Sequence, residues 1–284
     1  MTRPEHPSGL AEIAASYDTI LCDVWGVIHN GRSAFDDACE ALSNFREQGG
    51  TVVLITNAPV PKAQVVSYFK PLGVPDGAFD DCVSSGDATR EELIRRKDEK
   101  IWRMGVDGGW ERDQFLYKGL DLDFVAPEEA DTLLCIGLED QVNGHPEDYR
   151  EKLKLGASRG LPMICANPDI KVRIGDQLVW SAGALAAIYE EEGGTVIYPG
   201  KPHPAIYRLA IERATTLRGK APERVLCIGD SPATDMRGAA EQGFDALYVG
   251  TGLAEHGDDF EAEVGSLLEN YETSARFAMP ALKW

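Results

Sequence analysis

The sequence predicts an α/β fold: a doubly wound, largely parallel sheet carrying a second, inserted α/β unit. Three observations carry this. Short β-rich runs alternate with helical patterns from end to end, the runs are apolar nearly throughout, and there are 284 residues to distribute. Apolar runs without alternation fit parallel strands covered on both faces. Strands that alternate with helices imply crossover connections and hence a parallel sheet. At roughly 150 residues per domain, the length suits one large domain or two ordinary ones.

In chain order, the predicted strands are Thr19 to Val24, Thr51 to Ile55, Thr132 to Ile136, Leu161 to Cys165, Thr195 to Tyr198, Arg224 to Ile228 and Ala246 to Val249. Between the first two, Phe35, Ala38, Leu42 and Phe45 recur at helical spacing, and Gly49-Gly50 ends that helix. A further helix is expected from Pro146 to Ser158. Another runs from Pro204 to Leu217, with Ile206, Leu209, Ala210 and Ala214 on one stripe. An acidic tail from Glu255 onward places Val264, Leu267, Leu268 and Tyr271 at helical spacing, and is expected to pack on the core. The segment from about Ser85 to Tyr189 has its own strands, helix and Gly/Pro/Asp-rich loops. It therefore reads as a second α/β unit, residues 85–189; an insertion between two halves of one core, residues 1–84 and 190–284, fits better than two domains in tandem, for reasons that the motifs below supply.

Lys and Arg number 28 against 47 Asp and Glu, a net charge of −19. That field repels nucleic-acid backbones and anionic membranes, so neither is an expected partner. No apolar stretch approaches the roughly 20 residues of a membrane-spanning helix. The start, MTRPEHPSGLAEIAASYD, lacks an apolar core behind a basic head, so no secretory signal is expected and the predicted location is cytoplasmic. Six cysteines form no C-x-x-C pair, and Cys22, Cys135 and Cys227 fall inside apolar strand-like runs. Reduced, buried thiols are expected rather than disulfides or a metal site.

Ligands of α/β sheets sit beyond the carboxyl ends of the strands, so the polar residues that follow each strand are the candidates. They are Asp23 in LCDVWGV, Thr56 and Asn57 in LITNAP, Lys201 in YPGKPHP, and Asp230 and Asp235 in CIGDSPATD. Any one of these could simply end a strand; the convergence of the set points to chemistry. A carboxylate can attack phosphorus and form an aspartyl-phosphate, dividing a hard hydrolysis into two easier steps. Nucleophile and substrate are both anionic, so their approach must be neutralised. A divalent cation held by Asp23 and Asp230 would do part of this, and Mg²⁺ suits a site of few carboxylates plus substrate oxygens. Lys201 would add positive charge at the transferring phosphoryl group, Thr56 a hydroxyl donor. Asp235 would orient the metal's surroundings.

These motifs resemble, in order, those of the haloacid-dehalogenase (HAD) superfamily: DVWG the first, LITN the second, GKP the third and GDSPATD the fourth. Asn57 and Lys201 are 144 positions apart (201 minus 57). That interval resembles subclass IIA, in which a large α/β cap lies between the second and third motifs. VSSGDAT, CIGLED and ANPD are further echoes, and the resemblance covers about Tyr17 to Gly252. It implies a Rossmann-like core and a phosphatase like the nitrophenyl, sugar-phosphate, nucleotide and pyridoxal phosphate phosphatases of that class. It further implies Asp23 as nucleophile, Thr56 and Lys201 as phosphate binders, and Asp23, the Trp25 carbonyl and Asp230 as Mg²⁺ ligands supported by Asp235. Asn57 would position substrate or the nucleophile loop. Asn167 and Asp169 match the family's ANPD loop near the active site, or else form an Asx-Pro turn closing a strand. Caps of this kind often take part in dimer contacts, so a homodimer is admitted.

One departure bears on mechanism. Phosphatases of this superfamily carry a second Asp two residues after the nucleophile, as general acid and base; here Trp25 stands there. The dehalogenase branch also lacks that Asp but does not usually need metal-binding carboxylates, and Asp230 and Asp235 are retained. His29 is the candidate substitute for the missing acid. The expectation is a Mg²⁺-dependent phosphatase of a small phosphorylated metabolite. The alternatives are a weakly active or non-catalytic ligand-binding protein and a hydrolytic dehalogenase. A phospho-acceptor receiver domain is disfavoured by its shorter length and different acidic pattern.

Overall fold

A computed structural model of the chain describes residues 3–105, 111–174, 177–254, 256–257 and 259–284; Glu255, where the acidic tail was expected to begin, lies outside these. The strands run β1 (Thr19–Cys22), β2 (Thr51–Thr56), β3 (Asp81–Ser84), β4 (Lys100–Met104), β5 (Asp123–Phe124), β6 (Thr132–Cys135) and β7 (Pro162–Cys165). They continue with β8 (Lys171–Ile174), β9 (Gln177–Trp180), β10 (Thr195–Ile197), β11 (Val225–Gly229), β12 (Asp245–Val249) and β13 (Phe277–Met279). The chain divides into two compact units. One comprises the residues up to Thr56, Val66–Val83 and Lys201–Trp284; the other comprises Asn57–Val65 and Ser84–Gly200.

The first unit is built on a six-stranded sheet in the order β13-β12-β11-β1-β2-β3. β1 pairs parallel with both β11 and β2, and β12 pairs parallel with β11 and β13. Every residue of β1, β2 and β11 is buried, which accounts for their unbroken apolar character. Helix Asp36–Glu47 contributes Ala38, Leu42 and Phe45 to the core, and helix Pro204–Arg218 contributes Ile206, Leu209, Ala210 and Ala214. Gly49, at φ 87°, turns the chain out of the earlier helix, as its sequence position implies. In the tail helix Phe260–Asn270, Val264 and Leu268 are buried. Tyr271 is not part of that face: it caps the helix and is 47% exposed.

The second unit has a five-stranded sheet, β10-β7-β6-β4-β5, and a two-stranded antiparallel ribbon, β8-β9. Its sheet is apolar on both faces. Trp102, Met104, Leu133, Cys135, Met163 and Cys165 join one core with Leu153, Leu185 and Tyr189 from helices Arg150–Ser158 and Ala182–Glu191. Ile101, Leu134 and Ile164, pointing the other way by the period of two, join Leu93 and Leu116. The expected helix from Pro146 begins with a 3₁₀ turn, Pro146–Tyr149, and becomes α-helical only at Arg150.

Apart from the single residue Ser84, which falls in the second unit, the predicted domain limits differ from the observed units at two places. The strand at Thr195, expected in the core, pairs parallel with β7 of the second unit, which runs on to Gly200. The segment Asn57–Val65, also expected in the core, is held within the second unit: Gly86 N–H donates to Ala58 O (3.0 Å) and Ser84 Oγ to Val60 O (2.6 Å). All six cysteines are free and buried. Among the described residues, no helix is long and apolar enough to cross a membrane.

Candidate active site

At the carboxyl edge of the six-stranded sheet, three acidic side chains converge. Asp23 directly follows β1, and its N–H donates to Ile228 O (2.8 Å), extending the β1–β11 ladder by one residue. Asp230 directly follows β11. Asp235 returns to the same place because residues Pro232–Met236 wind as a π turn, in which Ser231 N–H donates to Asp235 Oδ2 (3.1 Å). Oxygen atoms of Asp23, Asp230 and Asp235 lie within 4.8 Å of one another, and all three residues are buried. Thr56, the last residue of β2, is buried at the same edge.

Lys201 reaches this cluster from a different direction than its sequence position suggests. It does not end a strand of the core sheet, because the strand before it belongs to the second unit; it lies on the turn that opens helix Pro204–Arg218. Its ammonium donates to Asp23 Oδ1 (2.5 Å) and to Asp235 Oδ1 (2.7 Å), and the side chain is only 3% exposed. Burial alone would lower its pKa, but the Asp23 and Asp235 charges outweigh burial and hold it well above the ordinary value. Three carboxylates against one ammonium leave the cluster short of positive charge. Burial, then the Asp23 and Asp235 charges, push Asp230 well above the usual carboxylate range. Burial also raises Asp235, to about 6, against the pull of Lys201. A group of hard oxygen donors with unbalanced negative charge fits a divalent cation held with substrate oxygens and water.

Trp25 and Gly26 form the turn beyond Asp23. Gly26 has φ 87°, a conformation that favours glycine, and its N–H donates to His29 O (2.8 Å). Trp25 is half-buried. His29 is buried, its Nδ1 accepts the Gly31 N–H (3.0 Å), and burial lowers its pKa to about 4. It is thus a neutral, structural imidazole with one ring nitrogen already engaged, which makes it a poor replacement for an acidic side chain. The Cys22 thiol, beside the cluster, is pushed well above its usual pKa by burial and by Asp23 and Asp235, and is unreactive.

Asn57, Asn167 and Asp169 come together in the second unit. Asn57 Nδ2 donates to Asp169 Oδ1 (2.8 Å), and Asp169 N–H donates to Asn167 Oδ1 (3.0 Å). The second bond is the Asx turn anticipated for this loop. Ser85 Oγ donates to Ala166 O (2.6 Å), fastening helix Ser85–Arg95 to the same loop. Sequence reasoning overlooked Thr251 and Gly252. They follow β12 at the edge already searched, and a Cβ on Gly252 would lie 1.6 Å from Asp230 Oδ2.

Comparison with known proteins identifies the family. A family profile described as haloacid dehalogenase-like hydrolase matches residues 20–113, and one described as HAD-hydrolase-like matches residues 198–268. The 5'-nucleotidase YutF of Bacillus subtilis is 25% identical over 259 residues, 87% of this chain and 93% of that protein. Phosphoglycolate phosphatase 2 of Arabidopsis thaliana is 27% identical over 266 residues, 87% of each. The crystal structure of a haloacid dehalogenase-like hydrolase from Brucella suis 1330 superposes with a TM-score of 0.85 at 42% identity, covering 97% of this chain and 99% of that one. With a likeness of that degree over nearly the whole of both chains, this chain belongs to the haloacid dehalogenase superfamily of hydrolases.

Proposed function

We propose that the chain is a cytoplasmic, Mg²⁺-dependent phosphatase that hydrolyses a small phosphorylated metabolite through an aspartyl-phosphate. The observation that carries this reading is the buried cluster of Asp23, Asp230 and Asp235, with the Lys201 ammonium bonded to Asp23 and Asp235. Its relatives with nucleotidase and phosphoglycolate phosphatase names support the substrate class. Asp23, the Trp25 carbonyl and Asp230 would hold Mg²⁺, with Asp235 behind them. When bound, the ion supplies positive charge to the phosphoryl oxygens and to the Asp23 carboxylate.

In this mechanism an Asp23 oxygen attacks phosphorus, a P–O(Asp) bond forms, and the bond to the leaving oxygen breaks. Lys201, already paired with Asp23, holds the nucleophile in place and carries charge that the transferring group can share. The Thr56 hydroxyl donates to a phosphoryl oxygen. Water then attacks phosphorus, the P–O(Asp) bond breaks, and phosphate leaves with Asp23 restored. An indole N–H cannot act as acid and then base at neutral pH, so Trp25 supplies no proton to the leaving oxygen. The inserted unit, with the Asn57–Asp169 pair and the Asn167 turn, would select the substrate. The decisive test is phosphate release from nitrophenyl phosphate and a panel of phosphorylated metabolites, with Mg²⁺ and with EDTA, alongside halide release from 2-haloacids. Metal-dependent phosphate release is expected. Metal-independent halide release without phosphatase activity would overturn the reading in favour of a dehalogenase.

A further inference from the structure

The loop after β12 touches both flanks of the acidic cluster without belonging to it. Thr251 Oγ1 donates a close hydrogen bond to Gly26 O. Gly26 is therefore gripped twice, by Thr251 at its carbonyl and by His29 O at its N–H (2.8 Å). A Cβ on Gly26 would lie 2.5 Å from Asp230 Oδ2 and 3.1 Å from Gly252 Cα. A Cβ on Gly252 would lie 2.3 Å from Asp230 Cγ. The turn after Asp23, the Asp230 carboxylate and the Thr251-Gly252 backbone thus form one close-packed sandwich. Its far end is anchored where Gly250 N–H donates to Met279 O (3.1 Å) on β13.

We infer that Thr251 is a positioning residue for the cation site: its hydroxyl locks the Trp25-Gly26 turn against Asp230. It touches neither substrate nor reacting atoms. Gly26 is the residue next to Trp25, so fixing both of its peptide groups fixes the direction of the Trp25 carbonyl. Without the hydroxyl, the turn is held from one side only, and the two flanks of the cation site can drift apart. Geometry within about 0.5 Å is what a preorganised site requires of its supporting residues. The inference rests on the metal assignment under Proposed function.

The test compares wild type, Thr251→Val, Thr251→Ala and Thr251→Ser by melting temperature across a Mg²⁺ titration, with kcat and KM for nitrophenyl phosphate measured in parallel. Thr251→Val keeps the shape and loses the donor, and a net hydrogen bond corresponds to a rise of roughly 3- to 10-fold in the Mg²⁺ concentration that half-saturates the melting shift. Thr251→Ala, which also loses the donor, should behave alike; Thr251→Ser should return close to wild type. Excess Mg²⁺ should restore kcat in the Val and Ala variants, and KM for nitrophenyl phosphate should stay near wild type. If the wild type responds to Mg²⁺ and both Val and Ala variants share its half-saturation point, Thr251 plays no part in the cation site. If Ser behaves as Val does, the hydroxyl is not the operative group. A wild type whose melting ignores Mg²⁺ overturns the metal assignment itself, and this inference with it.

Discussion

Lys201→Met keeps the length of the side chain and removes its charge. The ammonium lies 2.5 Å from Asp23 Oδ1 and 2.7 Å from Asp235 Oδ1, and the residue is 3% exposed. Removing one partner of a buried ion pair strands the other, at a cost of about 3–5 kcal/mol. For a folding unit of this size that corresponds to a fall of roughly 6–20 °C in melting temperature. Protonation limits the loss. Asp235 titrates at about 6 with Lys201 present, and without the ammonium it titrates higher. The variant's folded state then takes up a proton that the unfolded chain does not, so its deficit shrinks as pH falls from neutral toward 5. Melting curves in EDTA at pH 8 and pH 5, followed by tryptophan fluorescence, read this directly. Turnover of nitrophenyl phosphate should fall about 10²- to 10³-fold, since the charge acts chiefly in the transition state. A variant that melts with wild type at pH 8 and keeps its turnover would refute the reasoning.

Asp23→Asn should lower turnover by at least about 10³-fold while leaving the fold intact, because it removes the attacking charge; near-wild-type turnover would place the nucleophile elsewhere. Asp230 is held well above the usual carboxylate range and Asp235 at about 6, so without metal the Asp235 contribution to stability is lost as pH rises from the ordinary carboxylate value through about 6, and that of Asp230 as pH rises from the same value through its own raised one. Mg²⁺ requires the ionised forms, and its stabilising shift should therefore be larger at pH 8 than at pH 5; the reverse order in paired melts would contradict the site. Trp25→Asp should raise turnover most for alkyl phosphates, whose leaving oxygens need a proton, since a positioned acid contributes about 10²- to 10⁴-fold. Equal wild-type rates for alkyl and nitrophenyl phosphates would mean that another group supplies the proton.

Much of the site was legible because strand ends are local features. Asp23, Thr56 and Asp230 each terminate a buried, apolar strand, and the pattern of residues alone marks such places. Lys201 was identified by the wrong route. The strand before it is as apolar as any in the core, and periodicity cannot say which of two sheets a strand will join; only its pairing with β7 does. The same ambiguity displaced the domain limit from Gly200 to residue 190. β4 escaped notice because Lys100 and Arg103 interrupt its apolar run, although Ile101, Trp102 and Met104 are buried. The β8-β9 ribbon was missed for a related reason: it is short and largely exposed, so no core demand shapes its pattern. Thr251 lay within reach of the strand-end rule, since it follows β12, but its bond to Gly26 spans 225 residues of sequence. No local signal announces a contact of that range.

Covalent capture at Asp23 tests the central claim most directly. During turnover of nitrophenyl phosphate with Mg²⁺, an aspartyl-phosphate is an acyl phosphate and reacts with hydroxylamine to leave a hydroxamate on the aspartyl side chain. The account predicts that peptide mass mapping places this modification on Asp23, that it requires substrate, and that Asp23→Asn abolishes it. Because Trp25 offers no base for the second step, the intermediate should accumulate and an initial burst of nitrophenol should precede steady turnover. Sustained phosphate release with Asp23 unmodified, or with the hydroxamate on another carboxylate, would contradict it.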